Sequence, residues 1–595
     1  MRGLLAALAL GIFAAVVIAR WPLLARPFSS EGEAREAHVI ADVVREGHWI
    51  APYPNGDWIP TKGPLLYWWA GAAAMLFGLS ERVLRLSVAA LNLGTILATA
   101  WLGRTLVSPT AGWLAALLLA SCVLFSGYAF YLRVDTALLL CTTLSLGFFA
   151  RELARPETAL GSRLGSHVAL AGALFAKGLP ALIPTLVPML AVLAWRRDRS
   201  GLRCYALTAL LLGAVTAASF SPALCAALLP LALALAFAPA LGARSARETL
   251  AELAPGLVLV GLVGGWLALA DARYPVPYLT RVVEDSMNRV GRAAMAGDPF
   301  LRSPWYYFPR FPGDFFPWAI FLPVGLLAAV RAVRRDRRDL GLLCLVCLVG
   351  GFAVFSAIAY KRKVYLLPIF PPAAVLVASL LENPRAERRG LDASFGVFAA
   401  LGAAAACLAP LDLASRALRG ASLYASLHAD ELSRTLQAHA LGVDLAGLAC
   451  GALWLSARPL WRTRGGSAGG ASIAAGMAIL LVGPMTELEL ARAKQPRTPA
   501  DFAGQVRELV SSEDELRFVP GVRDEGLLFY LARPVPATSS AELETLLSGA
   551  ESRDRYLIAR RASELAGASA PLTTLARGVG SNGPLILVRV TGGRH

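Results

Sequence analysis

Charged residues are scarce in this 595-residue chain. Asp, Glu, Lys and Arg make up 16% of it, while hydrophobic residues make up 56% and the mean hydropathy is +0.56. Soluble domains usually contain about 25% charged residues. Water could not solvate so apolar a chain as a globule. Long apolar runs, such as Ala111 to Leu124 and Gly341 to Ala359, therefore predict an α-helical polytopic membrane protein.

Residues that bind metals or form disulfides are also few. The six histidines form no cluster with metal-ligand spacing, and the eight cysteines lie in or beside apolar segments. Cys344 and Cys347 form a Cys-x-x-Cys pair inside an apolar run, without the second pair or the histidines that a zinc site needs. No cofactor is predicted with certainty, and only a divalent metal is left open.

Positive charge exceeds negative charge, with a formal net charge of +16. The basic residues lie mainly in short loops between apolar runs, as the positive-inside rule requires, so they indicate topology and not nucleic-acid binding. The alternation predicts about 13 to 15 transmembrane helices, counting apparent hairpins at 167–194 and 204–240. An odd number places the C-terminal tail on the extracytoplasmic side, and the protein is expected in the inner (plasma) membrane.

Composition divides the chain into three regions. Residues 1–385 are expected to form a catalytic transmembrane domain, and 386–489 additional transmembrane helices. Residues 490–595 read as a small extracytoplasmic α/β domain, with strands in LRFVP, RYLIAR and LILVRV and amphipathic helices in DFAGQVRELVSS and SAELETLLSG. This last region contains no GxGxxG or P-loop motif, so no chemistry is assigned to it.

Two acidic sites are predicted to lie on the same face of the membrane. The first loop contains Glu31 and Glu33, and the fourth span begins at Asp135. An acid at the membrane end of a helix is costly unless it is used or paired. Asp135 therefore belongs either to a functional site or to an interfacial ion pair with Arg133.

A cluster of cations between two later spans departs from the positive-inside rule. Tyr360-Lys361-Arg362-Lys363-Val364-Tyr365 is placed outside by the count of spans. An anionic phosphate at the membrane surface would explain these cations through charge-assisted hydrogen bonds. The alternatives are a plain interfacial anchor or a miscounted span.

Six segments carry a resemblance to known proteins. In chain order they are EGEAREAHVIADVVREGHWIAPYPNGDWIPTKGPLLYWWAG, SERVLRLSVA, YLRVDTALLL, FAKGLPALIP, SPWYYFPRFPGDFFPWAIFLP and FSAIAYKRKVYLLPIFPPAAVLVA. Together they resemble the motifs of the dolichyl-phosphate-mannose protein mannosyltransferases and of the lipid A aminoarabinose transferases. Each motif is loose, but their order and spacing over about residues 1–385 are specific to this GT-C glycosyltransferase family.

The resemblance implies direct displacement of a polyprenyl phosphate from the anomeric carbon of a sugar, with transfer to a lipid, glycan or protein acceptor. A carboxylate would accept the proton of the acceptor hydroxyl, and cations would stabilise the departing phosphate. The implied catalytic residues are Glu31, Glu33 and Asp135. The implied substrate-binding residues are Lys62, Arg82, Lys177, Lys361, Arg362 and Tyr365.

The sequence departs from the family pattern at two positions. The family usually opens the first motif with an Asp-Glu pair, whereas Gly32-Glu33 is aligned here with Glu31 just before it, so either glutamate could hold the catalytic place. The family lysine is usually followed by proline, whereas Lys62 is followed by Gly63.

A lipid or glycan transporter, such as a flippase, is the main alternative function. It would predict internal repeats and charged residues along a path across the membrane. No inverted repeat is seen, and the candidate acids cluster at one face.

Overall fold

The computed structural model describes residues 1–218, 246–287, 302–336, 339–383, 387–419, 439–492, 497–548, 554–566 and 568–591. The tip of the predicted hairpin at 204–240 and part of the second long loop lie outside these ranges. The described α-helices are α1 (Arg2–Ala19), α2 (Trp21–Leu24), α3 (Glu31–Arg45), α4 (Leu65–Phe77), α5 (Glu81–Leu106), α6 (Pro109–Ala120), α7 (Val123–Gly127), α8 (Val134–Ala154), α9 (Ala159–Lys177), α10 (Leu186–Arg196), α11 (Arg199–Ala218), α12 (Ala246–Asp271), α13 (Tyr278–Met287), α14 (Tyr307–Asp314), α15 (Leu322–Asp336), α16 (Asp339–Leu345), α17 (Gly351–Ala357), α18 (Phe370–Glu382), α19 (Arg388–Arg419), α20 (Ala440–Arg464), α21 (Gly466–Val482), α22 (Pro484–Arg492), α23 (Pro499–Leu509), α24 (Glu525–Leu531) and α25 (Ser540–Leu547).

Nine helical segments in the described part of the chain are long and apolar enough to cross a membrane. A bent pair, Pro304–Asp314 with Trp318–Arg335, adds a tenth if it counts as one span, and three shorter apolar helices accompany them. If the bent pair and all three shorter helices also cross the membrane, the described residues reach the lower end of the predicted 13 to 15 spans. The fold class predicted from the sequence is nevertheless confirmed: a helical membrane protein with a small C-terminal sheet.

Small residues let the membrane helices approach one another closely. A Cβ atom at Gly103 of α5 would lie 2.8 Å from the Cα of Gly112 in α6. A Cβ at Gly402 of α19 would likewise lie 2.7 Å from the carbonyl oxygen of Gly451 in α20. Close backbone contact at small residues is the usual way in which helices associate in lipid, where burial of apolar surface gives little driving force.

The C-terminal region forms a four-stranded sheet in the order β1-β2-β4-β3. Its strands are β1 (Leu516–Phe518), β2 (Arg555–Ala559), β3 (Leu572–Gly580) and β4 (Gly583–Val590). β1 pairs with β2 in parallel, while β4 pairs antiparallel with both β2 and β3. The three predicted strands and two predicted helices are all found, and β3 is an additional strand.

The C-terminal region packs directly on the first long loop. The backbone amide of Phe28 donates to the Tyr530 hydroxyl at 2.8 Å, and the Phe28 and Phe529 rings meet edge to face. Asn55 exchanges two hydrogen bonds with the backbone of Val535, at 3.0 and 2.7 Å. The loop and the C-terminal region therefore lie on the same side of the helical bundle.

Candidate active site

Helix α3 begins at the first acidic motif. Ser30 caps the helix, because its Oγ accepts a hydrogen bond from the Glu33 amide at 3.3 Å. The same Oγ lies 2.7 Å from the hydroxyl of Tyr131, in the segment just before α8. The cap thus holds the acidic end of α3 beside the start of α8, where Asp135 lies.

Glu33 is buried in an ion pair with Arg85 of α5. Nε and Nη2 of Arg85 donate to Oε1 and Oε2 at 3.2 and 3.3 Å, and the Leu132 amide also donates to Oε1 at 3.2 Å. Nη1 of Arg85 donates to the Leu24 carbonyl at 3.0 Å. Both oxygens of Glu33 are occupied, so this pair ties α3, α5 and the segment before α8 together.

Glu31 has a different environment. Its side chain is 56% exposed, and Nη1 of Arg35, one turn along α3, lies 3.8 Å from its Oε1. An exposed carboxylate can meet an incoming substrate, whereas Glu33 would first have to break its bonds to Arg85. Of the two alternatives left by the sequence, Glu31 is therefore the better placed to accept a proton.

A third acid of α3, Glu36, lies in a buried pair with Lys62. Nζ of Lys62 donates to Oε1 of Glu36, and the Tyr67 hydroxyl donates to Oε2 at 2.9 Å. Burial lowers the pKa of Lys62 to about 7, although the Glu36 carboxylate acts to raise it. Burial acts to raise the pKa of Glu36, but Lys62 and Arg35 together hold it below its usual value, so Glu36 stays ionised.

Asp135 is only 3% exposed and is paired with two cations. Nε of Arg133 lies 3.2 Å from Oδ2, and Nζ of Lys177 donates to Oδ1. Lys177 is the last residue of α9, and Gly178 follows with φ of +69°, a conformation that side chains disfavour. The Lys177 ammonium also lies 4.1 Å from the centroid of the Tyr365 ring.

A close approach at Gly32 links α3 to the Asp135 pair. A Cβ at Gly32 would lie 3.3 Å from Nη1 of Arg133. The position where the family usually has aspartate therefore lies against the guanidinium that pairs with Asp135. Glycine replaces the family's aspartate at this position, but Arg133, the cation that the aspartate would face, is present.

A second close approach explains the glycine that replaces the family's proline. A Cβ at Gly63 would lie 2.1 Å from the carbonyl oxygen of Phe175, far too close for any side chain. Glycine lets the loop that carries Lys62 lie directly on the end of α9, two residues before Lys177. Arg133 is also near enough for its charge to lower the pKa of Lys62. We call Glu36, Lys62, Arg133, Asp135 and Lys177 the charge cluster.

The other predicted cations have different partners. The Arg82 guanidinium lies 4.9 Å from the centroid of the Trp21 ring, on the outside of α5. Lys361 is buried, and its ammonium donates to the backbone carbonyls of Arg302, at 3.2 Å, and Ile358. Nη2 of Arg362 donates to the Tyr360 hydroxyl at 2.9 Å. Tyr365 of the later basic motif contacts the charge cluster directly, through Lys177.

Sequence reasoning missed Glu36 and Tyr67 as parts of the site. Glu36 lies three residues after Glu33, so both acids share one face of α3. The spacing could have predicted that Glu36 is buried next to Glu33, because the same face of the helix carries buried apolar residues. Among the described residues, no group of three or more His, Cys, Asp or Glu side chains is placed to hold a metal ion.

Comparisons with known proteins support the same class of enzyme. Residues 61–226 match the dolichyl-phosphate-mannose-protein mannosyltransferase family. The undecaprenyl phosphate-alpha-4-amino-4-deoxy-L-arabinose arabinosyl transferase of Edwardsiella ictaluri (strain 93-146) is 25% identical over 498 residues, which cover 80% of this chain and 76% of that protein. The crystal structure of ArnT from Cupriavidus metallidurans bound to undecaprenyl phosphate matches with a TM-score of 0.67 and 20% identity, over 98% of this chain and 99% of that one. The chain is a GT-C-type glycosyltransferase.

The fold of this glycosyltransferase is also similar to that of a more distant enzyme. The apo oligosaccharyltransferase of Archaeoglobus fulgidus matches with a TM-score of 0.51 and 14% identity, over 93% of this chain and 69% of that one. The transporter alternative gains no support from any of these similarities. The family match at 61–226 includes Lys62, Asp135 and Lys177 but not the acids of α3.

Proposed function

We propose that the glycosyltransferase moves a sugar from a polyprenyl-phosphate carrier to a lipid, glycan or protein acceptor. The charge cluster carries this proposal, because it packs three cations around two carboxylates where α3, α8 and α9 meet. Its excess of positive charge suits a phosphate at the membrane surface. The relatives support the donor class: one is named for an undecaprenyl phosphate sugar, and the Cupriavidus structure holds undecaprenyl phosphate.

The reaction is a single displacement. The oxygen of the acceptor hydroxyl attacks the anomeric carbon while the bond from that carbon to the phosphate oxygen breaks. The phosphate leaves with the electron pair, and Lys62, Arg133 and Lys177 stabilise its added charge. The proton of the acceptor passes to Glu31 and then to water, because Glu31 is the exposed acid in the first turn of α3.

Asp135 is the second carboxylate of the acidic site. In the free enzyme its two oxygens hold Arg133 and Lys177. These contacts place both cations before the donor arrives, so little reorganisation is needed when phosphate charge develops. The Tyr365 ring helps to fix the ammonium of Lys177 from the other side.

The active site and the C-terminal region are proposed to face the outside of the inner membrane. The basic loops at Arg151 to Arg163 and at WRRDRSGLR support this orientation through the positive-inside rule. Single cysteines tested with a membrane-impermeant reagent in intact cells, in a background from which the eight native cysteines are removed, would check it. Ala541→Cys should react and Glu157→Cys should not, and the reverse pattern would show the opposite orientation.

The division of the chain into three regions is part of the same proposal. Residues 1–385 hold the charge cluster, residues 386–489 hold further membrane helices, and residues 490–595 hold the sheet. α21 of the second region packs against the first, since a Cβ at Gly466 would lie 2.1 Å from the Leu381 carbonyl oxygen. The second region is thus expected to support the first rather than to act alone.

A reconstituted assay tests the proposed function. The purified enzyme in nanodiscs is given an undecaprenyl-phosphate-linked pentose or hexose together with candidate acceptors, and mass spectrometry follows the products. Free undecaprenyl phosphate should form with a glycosylated product, and Glu31→Gln should slow this reaction. Glu46→Gln is the matched control, because Glu46 is an exposed acid at the other end of α3. A donor that crosses the bilayer of liposomes but stays intact would support the transporter alternative instead.

A further inference from the structure

A cavity lies at the end of the helical bundle opposite the charge cluster. Its volume is about 320 Å³, and it is lined by Trp101, Arg104 and Thr105 of α5 and by Arg151, Ala154 and Arg155 at the end of α8. Helix α8 begins beside Asp135, and Arg151 lies in its last turn, about 24 Å further along the axis at a rise of about 1.5 Å per residue. The proposed sugar transfer therefore makes no use of this cavity.

The positive charge of the cavity is not balanced by acids. Three of its lining residues are arginines and none is acidic. The guanidiniums of Arg104, Arg151 and Arg155 form no ion pair with any described residue. Glu152, next to Arg151 in the chain, is buried and accepts a hydrogen bond from Arg163 at 2.7 Å instead. Like charges around one cavity repel each other, so a bound anion would stabilise this arrangement.

An aromatic ring and apolar surface adjoin the three arginines. The Trp101 ring packs edge to face on Phe148, with 4.8 Å between the ring centroids. A Cβ at Gly147 would lie 2.4 Å from Cζ3 of Trp101, so glycine leaves the room that the indole occupies. Leu97 lies one turn earlier on the same face of α5 and is 45% exposed. The cavity thus borders a strip of apolar surface that faces membrane lipid.

Helix dipoles and membrane topology explain part of this charge. Arg104 and Arg151 lie in the last turns of α5 and α8, where the dipole favours a cation, and the positive-inside rule favours arginines in a cytoplasmic loop. Arginines that extend into water in any direction would satisfy both effects. Neither effect explains why three guanidiniums line one cavity beside an aromatic ring. Glu157, the exposed acid that follows Arg155, is not part of the lining.

We propose that this cavity binds the phosphate headgroup of an anionic phospholipid from the leaflet at that end of the bundle. The arginines bind the phosphate oxygens through paired N–H groups, and Trp101 packs against the glycerol backbone. The acyl chains run along Leu97 toward the middle of the membrane. The volume suits a headgroup, since ligand pockets begin at about 300 Å³. The apolar strip favours a lipid over free phosphate, and the inference does not depend on the proposed sugar transfer.

The test measures thermal unfolding of the purified full-length protein, stripped of lipid in a neutral detergent. One titration adds dioleoyl phosphatidylglycerol, and parallel titrations add phosphatidylcholine with the same acyl chains or inorganic phosphate. Arg151→Gln removes one charge from the lining. Arg199→Gln is the matched control, because Arg199 is exposed and outside the lining. It lies at the same end of the bundle, since its neighbour Ser200 accepts a hydrogen bond from Arg163 at 3.0 Å and Arg163 pairs with Glu152 of α8.

Phosphatidylglycerol should raise the melting temperature of the wild type in a saturable way, whereas phosphatidylcholine and inorganic phosphate should not. Without lipid, Arg151→Gln should unfold at the wild-type temperature, because the lost guanidinium has no ion-pair partner among the described residues. The phosphatidylglycerol concentration that gives half of the shift should rise about tenfold in this variant, as expected for one lost hydrogen bond between charged groups. Arg199→Gln should respond as the wild type does.

Four results would overturn the inference. A wild type that phosphatidylglycerol does not stabilise has no such site. An equal shift with phosphatidylcholine would show that the anionic headgroup is not recognised, and an equal shift with inorganic phosphate would assign the cavity to a free anion. Equal losses in Arg151→Gln and Arg199→Gln would show a response to surface charge in general. A protein that transfers no sugar but keeps the specific lipid shift would support this inference while overturning the proposed function.

Discussion

Gly32 and Arg133 face each other at the centre of the site: a Cβ at Gly32 would lie 3.3 Å from Nη1 of the arginine. Related enzymes usually have an aspartate at the position aligned with Gly32. The arginine that such an aspartate would meet is still in place here and pairs with Asp135 instead.

Restoring the aspartate should therefore be tolerated. Gly32→Asp places an acid in the first turn of α3, where the helix dipole favours negative charge, and beside the guanidinium of Arg133. We expect the double variant Gly32→Asp with Glu31→Gln to recover part of the transfer rate that Glu31→Gln loses. Rates of sugar transfer of the two variants, measured side by side, check this. Gly32→Asn with Glu31→Gln is the control, because it adds similar bulk without the carboxylate and should recover nothing.

Substitution of Glu31 should slow the sugar transfer, whereas substitution of Glu33 should destabilise the protein. Glu33→Gln breaks a buried ion pair, and removing one partner of such a pair typically costs about 3–5 kcal/mol. We expect it to lower the melting temperature, because Arg85 is left buried without its acid. Glu31→Gln should leave the melting temperature unchanged and slow the transfer by about 100-fold or more, as the loss of a general base does. Thermal unfolding and kinetics of both purified variants test this, and the opposite assignment of defects would make Glu33 the general base.

The cationic form of Lys62 should decide how donor binding depends on pH. Burial lowers the pKa of Lys62 to about 7, so its ammonium is present below this pH and is lost as the pH rises through it. The phosphodiester of the donor keeps its charge over this range, so donor affinity should be highest below pH 7 and fall above it. A bound phosphate stabilises the cation and raises its pKa, so the affinity should keep falling until the pH passes this raised value.

Lys62→Arg is the variant that isolates this effect. An arginine keeps its charge at all accessible pH values, so the affinity of the variant should no longer fall between pH 7 and 9. Binding of undecaprenyl phosphate would be misleading here, because its monoester titrates itself. A non-hydrolysable donor diester is therefore used, and identical pH profiles for wild type and variant would remove Lys62 from the phosphate site.

Substitutions of Lys361 and of Arg362 should have different effects, although the two residues are adjacent in the sequence. The ammonium of Lys361 is buried and donates to the carbonyls of Arg302 and Ile358. Lys361→Met should therefore lower the melting temperature, because it leaves buried carbonyls without a donor. Arg362→Ala should leave stability unchanged and raise the donor KM, if the later basic motif also contacts phosphate. Donor dependence of the rate decides between a phosphate contact and a plain interfacial anchor.

The sequence predicted the helical membrane fold because scarcity of charge and long apolar runs are direct consequences of the lipid environment. It also predicted the two acidic motifs, and the structure brings them together through Ser30 and Tyr131. The strand β3 was missed because all but one of its residues are exposed or half-buried at the edge of the sheet, so they lack the apolar alternation seen in buried strands. An edge strand forms mainly through its backbone pairing with a neighbour, here β4.

Other parts of the site depend on contacts between residues far apart in the chain. Lys62 lies at the end of α9 because Gly63 lets two backbones touch at Phe175, and no local pattern encodes that contact. The partners of Lys361 and Arg82 could not be predicted either, because the sequence around a cation near the end of a span does not show whether the cation binds a carbonyl, an aromatic ring or a phosphate. Glu36 could have been predicted from its spacing to Glu33.

The charge cluster as the catalytic centre is the central claim, and Asp135→Asn tests it most directly. The substitution keeps the size of the side chain and removes the charge that holds Arg133 and Lys177. The measurement is the single-turnover rate of sugar transfer at saturating donor, with the folded state checked by thermal unfolding. The account predicts a rate about 100-fold or more below wild type. A folded Asp135→Asn enzyme that transfers sugar at the wild-type rate would contradict it.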